Sequence, residues 1–246
     1  MRRALCVAAV LLSAAALAYV IPAFSILRRM VERRDGLRLS ALRITGTASF
    51  SGPAAKEAAA ALGMAPEREV QADMAISLKI PGRCRVDVSA PGGRSSFVSV
   101  QGKPRAEGTE IPPVSQALMQ ICPLLALRSA AEGEARADVE RYLRGLGIED
   151  RPSSLGRFDG RIVYVIGKTA PDQPQFWVYK DSFLPARVLY RDRDGNRWDV
   201  RFRDFGSAVT GDWFPRIVEV ARGEEMLARL TALSADGRPQ LADNLF

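Results

Sequence analysis

Three sets of residues in this sequence have types and spacing that chemistry could use, and none of them is complete. Ser77 and Lys79 lie two apart on a predicted strand, so they share a face as a Ser-Lys nucleophile pair would, yet strand alternation alone accounts for them. Asp192 with Asp194, and Glu224 with Glu225, could serve as paired carboxylates in glycoside hydrolysis, but all four fall at predicted turns, where solvated acids are the rule. The run Asp192-Arg193-Asp194-Gly195-Asn196 begins like a calcium loop. It then places Arg197 where the loop needs glycine and Arg203 where it needs its last carboxylate, so an Asp-Gly hairpin turn is the better reading. The chain has no histidine at all, which removes Ser-His and Cys-His pairs, histidine-ligated zinc and imidazole acid-base work together. We therefore expect no enzyme, with no catalytic residue, no metal and no cofactor.

What is left is apolar. Trp177, Trp198 and Trp213 offer large indole surfaces that could line a ligand cavity, and Val200 and Phe202 share a strand face with Trp198. Val114, Leu118, Ile121 and Leu125 recur at helical spacing and form a second apolar surface. These nine residues are the candidate cavity lining. Core packing is the plain alternative for each.

The elements that must position them begin after an unusual N-terminus. Met1-Arg2-Arg3 precedes Ala4 to Leu27, a stretch without charge, which has the form of an export signal over residues 1–23. Ala16-Leu17-Ala18 fits a cleavage site and Pro22 interrupts a spanning helix, whereas the basic flank Arg28-Arg29 and Arg33-Arg34 fits an inner-membrane anchor formed by residues 4–27. Either way the remainder, 24–246, is expected in the periplasm of a Gram-negative-type envelope as one domain.

Losing Arg2 and Arg3 lowers the formal charge from +7 to +5, and that excess is spread along the chain without a basic, aromatic-interleaved block, so no nucleic acid is expected as a partner. Cys84 and Cys122 remain. In an oxidising compartment they could pair, and as residues among apolar neighbours they could equally stay as buried thiols.

Phe24 to Arg34 reads as a short amphipathic helix. Strands with period-two alternation follow at Leu37 to Phe50, Val70 to Ile80, Arg83 to Ala90 and Ser95 to Gln101, with an alanine-rich helical patch at Ala54 to Leu62. Two helices, Pro112 to Leu127 with Pro123 as a kink and Glu134 to Leu146, separate these from seven more strands between Ser154 and Leu233. Pro81-Gly82, Pro91-Gly92-Gly93, Asp159-Gly160 and Asp194-Gly195 punctuate the strands tightly enough to require hairpins. The fold expected is α+β, mostly β: a strongly curved antiparallel sheet, an open half-barrel of about eleven strands, capped by helices. Arg197 to Phe205 should have one solvated side. Ile162 to Ile166 and Phe176 to Val178, apolar on both sides, should be covered by the two central helices, leaving an apolar cleft where sheet and helices part.

Two blocks resemble the periplasmic lipoprotein-carrier superfamily, which includes the LolA and LolB carriers and outer-membrane lipoprotein-sorting proteins. Ile76 to Gly102 contains LKIPGRCRVDVSAPGGRSSFVSVQG, similar to the family's strand ending in a basic residue near a proline, a strand over a glycine turn, and a strand ending in Gly102-Lys103. Phe176 to Phe246 contains WVYKDSFLPARVLYRDRDGNRWDVRFRDF, WFPRIVEV and a terminal NLF, similar to the late strands. The resemblance implies a non-catalytic carrier or sensor that holds a lipid or the acyl chains of a lipoprotein in an apolar cavity, with inner- or outer-membrane proteins as acceptors. The other expectation is an interaction module of the same fold that binds a protein. In the carriers a basic residue directly before the proline holds the lid closed. Here Ile80 occupies that place and Lys79 faces the opposite side, so the latch is not carried over.

Overall fold

The computed structural model describes residues 20–128 and 133–246. Most of the segment expected to direct export, including Ala16-Leu17-Ala18, lies outside the described residues. The described chain runs α1 (Ala23–Gly36), β1 (Ala41–Ser51), α2 (Pro53–Ala61), β2 (Glu69–Lys79), β3 (Arg83–Ala90), β4 (Gly93–Val100), β5 (Lys103–Glu107), α3 (Pro112–Leu125), α4 (Glu134–Gly145), β6 (Ser153–Phe158), β7 (Arg161–Ile166), β8 (Gln175–Tyr179), β9 (Pro185–Arg191), β10 (Arg197–Arg203), β11 (Ile217–Arg222), β12 (Glu225–Asp236) and a 3₁₀ turn, Asp243–Leu245. No helix among the described residues is long and apolar enough to cross a membrane.

All twelve strands belong to one curved, open sheet, ordered β5-β4-β3-β2-β1-β12-β11-β10-β9-β8-β7-β6, with every neighbouring pair antiparallel. The first half of the chain meanders outward from β1. The second half meanders back, so that β12 closes against β1 at the centre. The strand missing from the sequence reading is β5, Lys-Pro-Arg-Ala-Glu, exposed along its whole length. It lies at the edge of the sheet, has no buried face and so leaves no alternation to read, and its charges and Pro104 blunt the open edge.

Curvature is built in at the central seam. The β1–β12 register slips between Thr45 and Gly46, and a Cβ on Gly46 would stand 1.9 Å from the Thr231 carbonyl oxygen. Only glycine lets the two backbones meet at this bulge.

Two expectations about strand faces are corrected by the structure. On β10, Trp198, Val200 and Phe202 point into the helix-covered core as expected, but the opposite side is not simply solvated. There Asp199 is buried, and Arg187, Arg201, Glu219 and Arg229 stand in register across β9 to β12. Arg187 grips Asp199 with two bonds of 2.7 and 2.6 Å, Arg201 adds bonds of 2.9 and 2.7 Å to the same carboxylate, and Glu219 accepts from Arg203 and Arg229. The guanidinium forks satisfy carboxylates that could not otherwise be buried.

On β7 and β8, the helices cover only Tyr164, Ile166, Phe176 and Val178. The other face is covered locally by a separate cluster of Val163, Val165, Tyr179, Leu184 and Ala186, packed with Phe158, Trp177 and Phe205. Alternation sends successive side chains to opposite faces, so both faces need cover and the two covers are different.

The helices fill the concave side. Helix α2 faces the sheet with Ala54, Ala55, Ala58 and Ala59, whose small side chains allow close approach. At its C-terminal end Gly63 and Gly92 meet backbone to backbone, a contact that a Cβ at either position would block. Helix α3 starts on Pro112 and Pro113, where missing N–H groups cost nothing, and continues past Pro123 to Leu125. Cys122 of α3 is disulfide-bonded to Cys84 of β3, fastening this helix to the sheet floor. Helix α4 buries Ala135, Val139 and Leu143.

Candidate ligand-binding interior

The structure divides the nine candidate lining residues into three groups. Val114, Leu118, Ile121 and Leu125 of α3 and Trp198, Val200 and Phe202 of β10 are brought together, all at most 4 % exposed, in one cluster between helices and sheet. Trp177 is on the opposite face of the sheet, edge-on to Phe158 and beneath the Arg187 guanidinium at 4.8 Å. Trp213 is 37 % exposed and sits in the β10–β11 connection.

Among the described residues, side chains close the cleft expected between α3 and β10. The space between sheet and cover is occupied by the protein's own side chains, and the gap lined by Leu27, Leu143, Ile148 and Ile166 holds about 10 Å³, too little for any acyl chain. Helix α3 packs on β3, β4, β10, β11 and β12, and α1, packed on α4, fills part of the cup beside it. Its apolar stripe of Ile26, Leu27, Met30 and Val31 is buried in the same cluster as the candidate lining. The helix continues into a described strand only at its C-terminal end, through the short link Leu37 to Ser40, while on its N-terminal side the Ser153 hydroxyl of β6 holds the Ile21 carbonyl.

Polar groups hold α1 in place. Arg34 lies on its buried stripe, one helical repeat after Leu27 and four residues after Met30, with 4 % exposure. Its Nη2 donates to the Leu125 carbonyl at the end of α3 at 2.6 Å, and its Nη1 donates to the Trp213 and Asp212 carbonyls at 2.8 and 3.2 Å. Its Nε has no partner among the described residues. Burial pulls the guanidinium down to about 10, against the nearby Asp212 carboxylate, which raises it. Arg33 pairs with Asp212, Arg29 lies 5.2 Å over the Phe183 ring, and Ser153 donates to the Ile21 carbonyl at 3.1 Å.

A polar seam crosses the cup. Tyr142 of α4 donates to Gln120 of α3, and Tyr190 of β9 donates to Gln116 one turn away on the same helix. Burial pushes both phenols up, so both remain neutral donors.

Of the acidic candidates, Asp192 is engaged within its own turn. Asp192 caps its own turn, accepting from the backbone N–H groups of Asp194 and Asn196, the Asn196 side chain and the Trp198 indole. Burial raises this carboxyl and the donors outweigh it, leaving it below the usual range. Among the described residues no cluster of three or more ligating side chains could hold a metal ion. Lys79, with Arg83, binds Asp243, so this residue straps the C-terminal tail to the outer face rather than holding a lid.

Sequence reasoning missed Arg34, although a signal existed: it occupies the apolar stripe of its helix. The two glutamines were hidden in the same way, as polar letters on a greasy helix.

No family model matches the sequence, and no curated protein matches it. Among solved structures, a LolA superfamily protein from Nitrosomonas europaea superposes with a TM-score of 0.50 at 12 % identity, over 92 % of this chain and 98 % of its own. A DUF1329 family protein from Desulfovibrio piger superposes with 0.47 at 13 % identity over 92 % and 98 %. An outer membrane lipoprotein-sorting protein domain from Vibrio parahaemolyticus gives 0.46 at 12 % identity over 90 % and 94 %. The open twelve-stranded sheet with helices in its hollow is thus the fold seen in that LolA superfamily protein.

Proposed function

We propose that this protein is a non-catalytic carrier or sensor in the periplasm, whose guest is a lipid or an acylated lipoprotein that enters the space α1 now fills. In this reading residues 1–23 direct export and 24–246 form the binding domain. The observation that carries it is the unequal fastening of the cover. Helix α3 is covalently stapled to β3, and α2 continues into strands at both ends, whereas α1 continues into a described strand only at its C-terminal end and is otherwise held by hydrogen bonds, from Arg34 to Leu125 and Trp213 and from Ser153 to Ile21.

Magnitudes favour exchange. Four apolar side chains of α1 contribute roughly 1.5–3 kcal/mol each to closure, about 6–12 kcal/mol in all. About twelve acyl methylenes at roughly 0.8 kcal/mol each give about 10 kcal/mol. The two are of the same size, so guest and helix can compete for one hollow, and closure lowers the apparent affinity without forbidding binding. The polar seam at Gln116, Gln120, Tyr142 and Tyr190 would receive the guest's carbonyl groups.

The test compares uptake of a fluorescent fatty acid by delipidated protein and by an Arg33→Cys/Asp212→Cys variant cross-linked with a short bismaleimide, which ties α1 shut. Saturable uptake that the cross-link abolishes supports the reading. Absence of saturable uptake by the free protein and by Arg34→Ala overturns it. The filled hollow also suits an interaction module of the same fold, and a pull-down from envelope extract that yields a protein partner without lipid would favour that alternative.

A further inference from the structure

Outside the interior, a second cavity of about 790 Å³ opens to solvent where α1 ends and β12 leaves the sheet. Its walls include Leu37, Arg38, Trp213, Asp236, Gly237 and Arg238. The floor is set by Gly237, against which the Trp213 ring lies so closely that a Cβ there would stand 3.0 Å from its Cη2 and Cζ3 atoms. One side of the indole is thereby fixed and the rest faces the opening, with its N–H unpartnered among the described residues.

Charge is similarly arranged without internal use. The Arg38 and Arg238 side chains are exposed, and neither has an ion pair or hydrogen bond to a described residue. The one carboxylate of the lining, Asp236, accepts the Arg238 backbone N–H at 2.9 Å, against two arginines in the same lining. Arg38 also stands at φ +52°, in the left-handed region that follows a helix and that glycine adopts most easily. Two free guanidinium forks beside an indole and Leu37 match a ligand with an oxyanion at one end and an apolar portion at the other.

We propose that this cavity binds the phosphate headgroup of an anionic phospholipid, with Arg38 and Arg238 on the phosphate and Trp213 and Leu37 against the first carbons of the acyl chains. Leu37 and Arg38 continue α1, and the Trp213 carbonyl is an acceptor for Arg34, so an occupied cavity touches both the end of the plug and its clasp. The headgroup site lies outside the interior, its Arg38, Asp236 and Arg238 being exposed at the surface.

The experiment is a calorimetric titration of the protein with dihexanoyl phosphatidylglycerol below its micelle concentration, alongside inorganic phosphate and uncharged dihexanoylglycerol. Saturable binding of the phospholipid is expected, weakened at least tenfold in Arg38→Gly/Arg238→Ser, with inorganic phosphate far weaker. Glycine suits the backbone at 38, so the variant should melt no lower than the parent. Equal binding of dihexanoylglycerol, phosphate binding as tight as the lipid, unchanged binding by the double variant, or no binding of the phospholipid would each overturn the assignment.

Discussion

The Arg34 Nη2 donates to the Leu125 carbonyl oxygen at 2.6 Å, joining the last turn of α1 to the last residue of α3. Because Cys122, three residues before Leu125, is bonded to Cys84, this one contact ties α1 to a helix that is itself covalently fastened to the sheet. The cation also faces the negative end of the α3 dipole, where a positive charge is favoured.

Removing the clasp should loosen α1 without unfolding the sheet. Hydrogen bonds made by a charged donor are worth roughly 1.5–3 kcal/mol each. Arg34→Ala is therefore expected to speed amide hydrogen exchange across Ala23–Gly36 by at least tenfold, while β1 and β12 keep their protection. Arg34→Lys should fall between, since one ammonium cannot reproduce a fork spanning Leu125 and Trp213. Equal protection of α1 in all three proteins would refute the clasp.

The disulfide should act on global stability. Its ends are 38 residues apart, and closing such a loop restricts the unfolded chain by on the order of 4 kcal/mol. Cys84→Ser/Cys122→Ser should lower the denaturation midpoint accordingly, measured in urea at neutral pH. A midpoint unchanged within error would mean that the staple adds nothing to fastening α3.

Acid should weaken the outer ion lattice. Burial raises the Asp199 carboxyl, but bonds from Arg187 and Arg201 outweigh it and hold the group below its ordinary range. A depressed folded-state value means that the unfolded chain takes up its proton first. This contribution to stability is present above pH of about 4 and is lost as pH falls further through the folded-state value. Asp199→Asn should be less stable than the parent at pH 7, and the gap should shrink toward pH 3 in thermal melts. A constant gap would place the effect in packing instead.

The central bulge gives the sharpest contrast between two glycines. Gly46→Ala forces a methyl into the Thr231 carbonyl and should cost several kcal/mol or prevent recovery of folded protein. Gly36→Ala, with nothing within 4 Å of its Cβ position at the end of a helix, should be neutral or raise stability by up to about 1 kcal/mol. Melting temperatures of the two variants decide it.

Sequence alone determined the elements wherever a side chain's neighbours in the chain decide its role. Alternation marked β2, β3, β4 and β10 because each has one face in the core. Turn pairs such as Asp194-Gly195 marked the hairpins, and the absence of histidine settled which chemistries were closed. Tertiary structure decided what period and composition cannot express. Trp177, Trp198 and Trp213 are the same letter, yet one lies on the outer face, one in the core and one at a surface cavity, because placement depends on what packs against each strand or loop. The same holds for the cup. Its greasy surfaces were legible as a pattern, but whether they enclose a hollow or a helix depends on where α1 docks, and docking is a sum over contacts between segments far apart in the chain. A local pattern shows that a face must be buried. Only the assembled fold shows what buries it.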